Sequence, residues 1–190
     1  MKIVASHHSI PAIGETANGD RAYFRVDGQR FLIAVVDGLG HGPGADAVSS
    51  TAEKHFASAD LSLPLLDLMQ STHAKLGGSR GAAATLCLFH GSRVEACAVG
   101  NVELRSGVLQ LPLVGSPGVL GARVAKFRVC EATVERPGRL ILFSDGISSR
   151  TRFDEFRELS PERACQEVIE QHRRDYDDCT VLIADLDPTQ

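Results

Sequence analysis

Acidic residues punctuate the apolar runs of this sequence. Phe31-Leu32-Ile33-Ala34-Val35-Val36 leads into Asp37-Gly38, and Leu140-Ile141-Leu142-Phe143-Ser144 leads into Asp145-Gly146. Asp177-Asp178 directly precedes an apolar run from Thr180 to Leu186, and Gly19-Asp20 precedes another that starts at Ala22. A carboxylate at the end of a rigid strand is held firmly yet reaches the rim of the sheet, which is where a hard cation with oxygen ligands would sit. Any one Asp-Gly is also a common turn dipeptide. Four acidic punctuations in one chain are harder to read that way, because clustered carboxylates repel one another unless a cation neutralises them. The residues alone therefore point to a Mg²⁺ or Mn²⁺ site.

The elements that must position these carboxylates are short strands bounded by glycine. The pattern predicts strands at Ala22 to Val26, Phe31 to Val36, Ala82 to Phe89, Val94 to Val99, Val102 to Ser106, Val108 to Leu113, Lys126 to Ala132, Leu140 to Phe143 and Thr180 to Leu186. Three helices interrupt them. The first opens at Pro43 with Ala45, Val48, Ala52 and Phe56 on one stripe. The second runs from about Pro64 to Leu76, with Leu65, Leu68, Met69 and Leu76 inward and Gly77 as its stop. The third follows Ser160-Pro161, buries Ala164, Cys165, Val168 and Ile169, and ends on His172-Arg173-Arg174, where cations suit a helix C-terminus. Because strands do not alternate with helices through the middle of the chain, a doubly wound parallel sheet is excluded in favour of an α+β sandwich of mostly antiparallel sheets flanked by helices.

The chain has 190 residues, of the size of one domain. With 43% hydrophobic and 23% charged residues it is an ordinary globular sequence. Lys plus Arg is 20 against 24 for Asp plus Glu, a net charge of −4, so no broad basic surface exists for nucleic acid or an anionic membrane. No apolar run approaches the roughly 20 residues a membrane span needs, and Ser6-His7-His8 cuts short any secretory h-region. Five cysteines without a C-x-x-C pair read as thiols of a reducing, cytoplasmic compartment. His7 and His8 are neighbours that point in different directions on a strand, which suits a strand role better than metal ligation.

Taken in order, Gly19-Asp20-Arg21, Val36-Asp37-Gly38-Leu39-Gly40-His41-Gly42, Arg80-Gly81-Ala82-Ala83, Phe143-Ser144-Asp145-Gly146-Ile147 and Asp177-Asp178-Cys179-Thr180-Val181 resemble a known series. It is similar to that of the metal-dependent serine/threonine phosphatases of the protein phosphatase 2C type, in their bacterial SpoIIE-like branch, and the resemblance extends from about Gly14 to Leu186. Within that branch, the length and Ser116-Pro117-Gly118-Val119-Leu120-Gly121 look most like the phosphatases that reset stressosome scaffold proteins.

The resemblance implies an α-β-β-α four-layer sandwich with two divalent metal ions, Mn²⁺ or Mg²⁺, in a cleft at one edge of two central sheets. It implies that Asp37 bridges the ions, that the Gly38 carbonyl binds one of them, and that Asp145 and Asp177 are further ligands. Asp20 would ligate directly or through water, and Asp178 would support the ligands from behind. The implied reaction is hydrolysis of phosphoserine or phosphothreonine by direct attack of a metal-bridging water. The substrate would be a phosphorylated STAS-domain stressosome protein or a similar phosphoprotein, acted on by a cytoplasmic monomer.

Two positions depart from the wider family. Leu39 stands where eukaryotic-type members place a His after the Asp-Gly, leaving His41 either as a substitute general acid or as a structural loop residue. Ile13 to Ala17 lacks the expected phosphate-binding Arg, for which Arg21 and Arg80 are the replacements to weigh against ordinary surface charges. The rival motifs are poorer. In Gly38-Leu39-Gly40-His41-Gly42-Pro43-Gly44, the third glycine of a dinucleotide loop would fall at Pro43. Gly77-Gly78-Ser79-Arg80-Gly81 has a helix before it and a strand after it, the reverse of a serine-hydrolase elbow. From another class, a catalytically weak phosphatase-like binding module in partner-switching signalling remains the alternative, separable by metal-dependent hydrolysis of p-nitrophenyl phosphate.

Overall fold

A computed structural model describes residues 1–109, 111 and 113–188. The strands are β1 (Lys2–Ile10), β2 (Asp20–Asp27), β3 (Arg30–Gly38), β4 (Ala82–His90), β5 (Arg93–Val99), β6 (Glu103–Ser106), β7 (Gly118–Val119), β8 (Arg123–Val124), β9 (Val129–Thr133), β10 (Gly138–Phe143) and β11 (Cys179–Asp187). The helices are α1 (Pro43–Ser58), α2 (Leu65–Lys75) and α3 (Pro161–His172), with a 3-10 turn at Phe153–Phe156.

Two antiparallel sheets form the centre. One has the order β1-β11-β10-β6 and the other β2-β3-β4-β5-β9, while β7 and β8 make a separate small hairpin. Side chains on a strand alternate between faces, and β3 shows what that alternation builds. Leu32, Ala34 and Val36 pack on one side with Val48, Ala52 and Phe56 of α1 and Leu65, Leu68 and Met69 of α2. Ile33 and Val35 point the other way, against Leu140 and Leu142 of β10 and Leu182 and Ala184 of β11. On the far face of that second sheet, Ile141, Phe143, Val181 and Ile183 meet Ala164, Cys165, Val168 and Ile169 of α3. Three apolar layers therefore hold four structural layers together, giving the α-β-β-α sandwich. The helices start as their sequences predict: α1 has Pro at its first turn, and Ser160 caps α3 by accepting from Arg163 N at 3.3 Å.

Two expectations need correction. Lys2–Ile10 is a full edge strand, all nine of its residues in register with β11 from Lys2↔Asp187 to Ile10↔Cys179. The segment from Val108 to Leu113 is not a strand among its described residues; positions 110 and 112 lie outside the description. Its apolar side chains serve another purpose, since Val108, Leu109, Leu111 and Leu113 close the layer between the sheets as irregular chain. No helix among the described residues is long and apolar enough to cross a membrane.

Candidate metal centre

Both sheets end at the same edge of the sandwich, one delivering two acidic positions there and the other three. β2 and β3 pair so that Asp20 lies directly opposite Asp37. β10 and β11 pair from Phe143↔Val181, which brings Asp145, just beyond β10, beside Asp177 and Asp178, just before β11. A cleft of about 240 Å³ opens between them, lined by Asp37, Leu39, Gly40, His41, Ala83, Asn101, Asp145, Tyr176 and Asp177. Asp20 is buried behind this lining, 2% exposed, and accepts a hydrogen bond from Ser144 Oγ at 2.5 Å. Ser144 Oγ in turn accepts from Thr180 N at 3.0 Å, so one hydroxyl ties the ends of β10 and β11 to Asp20.

Asp178 has a different task. Its Oδ1 accepts from Ala12 N at 2.9 Å and its Oδ2 from Gly19 N at 2.7 Å. Both oxygens are thus engaged by the segment between β1 and β2, which the carboxylate pins at both ends. Gly38 and Gly146 are small for reasons of space, not because of a turn. A Cβ on Gly38 would stand 2.5 Å from the Ala45 carbonyl oxygen, and one on Gly146 would collide with the backbone of Asp178. The Asp-Gly pairs mark close approaches of backbone to the acidic edge. Arg80-Gly81-Ala82-Ala83 is explained as well: the Gly81 carbonyl accepts from Leu39 N at 2.9 Å, and Ala83 sits opposite Asp37 with a side chain short enough to leave the cleft open.

Crowded on one edge, these carboxylates shift one another's titration. Burial, followed by the charges of Asp20, Asp145, Asp177 and Asp178, pushes the Asp37 carboxyl up to about 8. Burial also raises Asp20, to about 7, with the Ser144 hydrogen bond opposing and the neighbouring carboxylates adding to the rise. Asp177 moves upward too, through burial and then Asp145. A divalent cation would reverse this pattern by favouring every ionised form at once. The donor set, all carboxylate and carbonyl oxygen, fits Mg²⁺ or Mn²⁺ and does not fit a soft metal. Among the described residues no three His, Cys, Asp or Glu side chains gather tightly enough to hold an ion by themselves. Each ion would take a few protein oxygens and complete its shell with water, as Mg²⁺ commonly does.

Sequence reasoning overlooked two cleft residues. Asn101 Nδ2 donates to Asp145 Oδ2 at 2.7 Å, and Tyr176 stands 71% exposed at the rim. The only sequence signal for Asn101 was a Gly-Asn pair at the β5 to β6 connection. His41 does reach the cleft, with Nδ1 2.7 Å from Glu15 Oε1. Arg21 is committed elsewhere, to Asp46 and Glu53 of α1. The Arg80 guanidinium packs over Gly44, where an added Cβ would stand 2.6 Å from its Cζ, and lies beside Gly40 at the cleft's edge.

The four-layer sandwich is the fold of the phosphatases of the protein phosphatase 2C type. The profile of the family described as Stage II sporulation protein E (SpoIIE) matches residues 27–188, and the chain belongs to that family. It is 28% identical over 144 residues to phosphoserine phosphatase RsbX of Bacillus subtilis (strain 168), covering 71% of this chain and 70% of RsbX. A crystal structure of RsbX in complex with magnesium superposes with a TM-score of 0.81 at 21% identity, covering 97% of this chain and 95% of that one. A structure from work on the bacterial stressosome as a modular system adapted to control secondary messenger signalling gives a TM-score of 0.86 at 24% identity, covering 97% and 100%.

Proposed function

We propose that this chain is a metal-dependent protein serine/threonine phosphatase that hydrolyses phosphoserine or phosphothreonine without a phosphoenzyme, and that it resets STAS-domain stressosome proteins or related stress-signalling proteins. The observation that carries the reading is the delivery of Asp37 by one sheet, and Asp145 and Asp177 by the other, into one cleft, with Asp20 buried directly opposite Asp37. Asp20, Asp37, Asp145, Asp177 and the Gly38 carbonyl would hold two divalent cations. Bound there, such ions supply a nucleophilic water at neutral pH and neutralise the phosphoryl oxygens.

The chain's own residues do the rest. Asp178 holds the segment before β2 in place, Ser144 fixes Asp20, and Asn101 orients Asp145. His41, exposed at the mouth of the cleft, is the proton donor to the leaving serine or threonine oxygen. A donor of that kind contributes about 10²–10⁴-fold. The similarity to RsbX supports phosphoserine as substrate, and the likeness to the stressosome structure supports partner-switching proteins as its carriers. Cys87, Cys97, Cys165 and Cys179, buried and not paired in disulfides, support a cytoplasmic setting.

The test is hydrolysis of p-nitrophenyl phosphate and of a phosphorylated STAS-domain protein with Mn²⁺, with Mg²⁺ and with chelator. Turnover of both substrates only with metal is expected. Absence of turnover, together with no metal-dependent rise in Tm, would replace the enzyme with a phosphatase-like binding module. Turnover of p-nitrophenyl phosphate with no preference for the STAS protein over an unrelated phosphoprotein would keep the enzyme and remove the stressosome assignment.

A further inference from the structure

We propose that Glu15 is a positioning residue that holds His41 in the orientation from which it protonates the leaving oxygen. The inference rests on the phosphatase reading above and adds a residue to it. His41 Nδ1 and Glu15 Oε1 are 2.7 Å apart, and among the described residues Nε2 has no hydrogen-bond partner. With Nδ1 donating to the carboxylate, Nε2 is the nitrogen left for chemistry in the cleft that His41 lines with Asp145, Asp177 and Tyr176.

The position of Glu15 is built, not incidental. Asp178 fixes Ala12 and Gly19 on either side of it, Ile13 N donates to Asp175 O at 3.1 Å, and Gly14, at φ +90°, turns the chain so that Glu15 N donates to Ala12 O at 3.0 Å. The carboxylate then lies over Gly42, where an added Cβ would stand 2.8 Å from Glu15 Oε2. Gly42 is the N-cap of α1, which has no side-chain cap of its own. The carboxylate is thereby seated at the N-terminus of α1, which fixes the oxygen that faces His41. The pair is too exposed, at 57% and 28% of the two side chains, for its purpose to be stability.

In the step concerned, a bond forms from water oxygen to phosphorus while the bond from phosphorus to the serine oxygen breaks, its electrons passing to that oxygen. The Nε2 proton of His41 passes to the same oxygen, giving the alcohol. The attacking water's proton goes to solvent, and solvent later returns one to the imidazole.

A proton donor matters for an alkyl leaving group and little for p-nitrophenolate, which departs without one. Turnover of a phosphoserine peptide and of p-nitrophenyl phosphate is therefore compared in wild type, Glu15→Gln, Glu15→Asp, His41→Ala and the Glu15→Gln/His41→Ala double variant. Glu15→Gln is expected to lose about 10- to 100-fold on the peptide, with the peptide loss at least about tenfold the loss on p-nitrophenyl phosphate. Glu15→Asp should recover part of it, and the double variant should be no worse than His41→Ala alone. Equal losses on both substrates for Glu15→Gln, or additive losses in the double variant, would overturn the proposal while leaving the His41 reading intact. A His41→Ala variant without leaving-group selectivity would overturn both roles, and wild type without metal-dependent turnover would overturn the phosphatase reading itself.

Discussion

Metal-free protein should lose stability as the pH rises from 5 to 8, and Asp37→Asn should remove most of that loss. The Asp37 carboxyl is raised from 3.8 to about 8, chiefly by burial and then by the charges of Asp20, Asp145, Asp177 and Asp178. Below pH 3.8 it is protonated in both folded and unfolded chains and makes no difference between them. Between 3.8 and about 8 the folded chain keeps a proton that the unfolded chain has released, so stability falls with rising pH. Above about 8 both forms are ionised and the loss is complete. At about 1.4 kcal/mol per pH unit, three units cost up to about 4 kcal/mol. Asp20, raised to about 7, does not simply add to this, because the two carboxyls face each other and ionising one hinders the other.

For a chain of this length each kcal/mol is worth about 2–4 °C in Tm. Thermal unfolding in chelator should therefore fall by at least about 5 °C between pH 5 and pH 8 in wild type. Asparagine at position 37 stays neutral throughout, so the variant should be the more stable protein at pH 8 and show the flatter profile. Millimolar Mg²⁺ or Mn²⁺ should restore wild type at pH 8 and restore the variant less. A metal-free wild type equally stable at pH 5 and pH 8, or an Asp37→Asn profile parallel to it, would refute the claim that burial and neighbouring carboxylates hold the Asp37 proton.

Asp37→Asn or Asp145→Asn should reduce metal-dependent hydrolysis of p-nitrophenyl phosphate more than His41→Ala does; equal residual rates for all three would sink a metal-centred mechanism. Asn101→Ala, which removes the 2.7 Å bond to Asp145, should raise the Mn²⁺ concentration needed for half-maximal activity by about tenfold, read from metal titrations of the initial rate. Gly38→Ala should lower stability by about 1–3 kcal/mol in urea unfolding, because its Cβ would stand 2.5 Å from the Ala45 carbonyl oxygen and α1 would have to shift.

Asp37, Asp145 and Asp177 were legible in the sequence because each lies next to a long apolar run, and such runs are strands buried on both faces, whereas Asp20 opens a strand that Arg21 and Arg25 interrupt and was marked by its Gly-Asp pair. The three helices were legible for a similar reason: Ala45, Val48, Ala52 and Phe56, then Leu65, Leu68 and Met69, then Ala164, Cys165, Val168 and Ile169, repeat at helical spacing and are buried. β1 was missed because Ser6-His7-His8-Ser9 breaks its apolar pattern and its existence depends on pairing with β11, which lies at the other end of the chain. The stretch from Val108 to Leu113 misled because its apolar side chains fill the space between the sheets without belonging to either. Asn101 and Glu15 carry no local pattern. Asn101 acquires its role only when β5 and β10 end at the same edge, and Glu15 only when Asp178 holds the segment around it, both of which are tertiary facts.

The site is made from two sheets instead of one, and that division has a physical consequence. Within one antiparallel sheet, like charges directly opposite each other, as Asp20 and Asp37 are, destabilise the pairing. Adding Asp145 and Asp177 to the same ladder would compound the cost along the strands that must stay paired. Drawing them from a second sheet lets apolar side chains such as Ile33, Val35, Leu142 and Leu182, buried between the layers, hold the four carboxylates together from behind. The repulsion is then borne by the packing of one sheet on the other and not by either ladder. The same division brings Ser144 within reach of Asp20, across 124 residues of sequence, so that the sheets are joined by a hydrogen bond at the site itself. A cation bound between them would convert the weakest electrostatic region of the fold into a link between its two halves. Metal binding and the docking of the two sheets should accordingly be felt together, in stability as well as in rate.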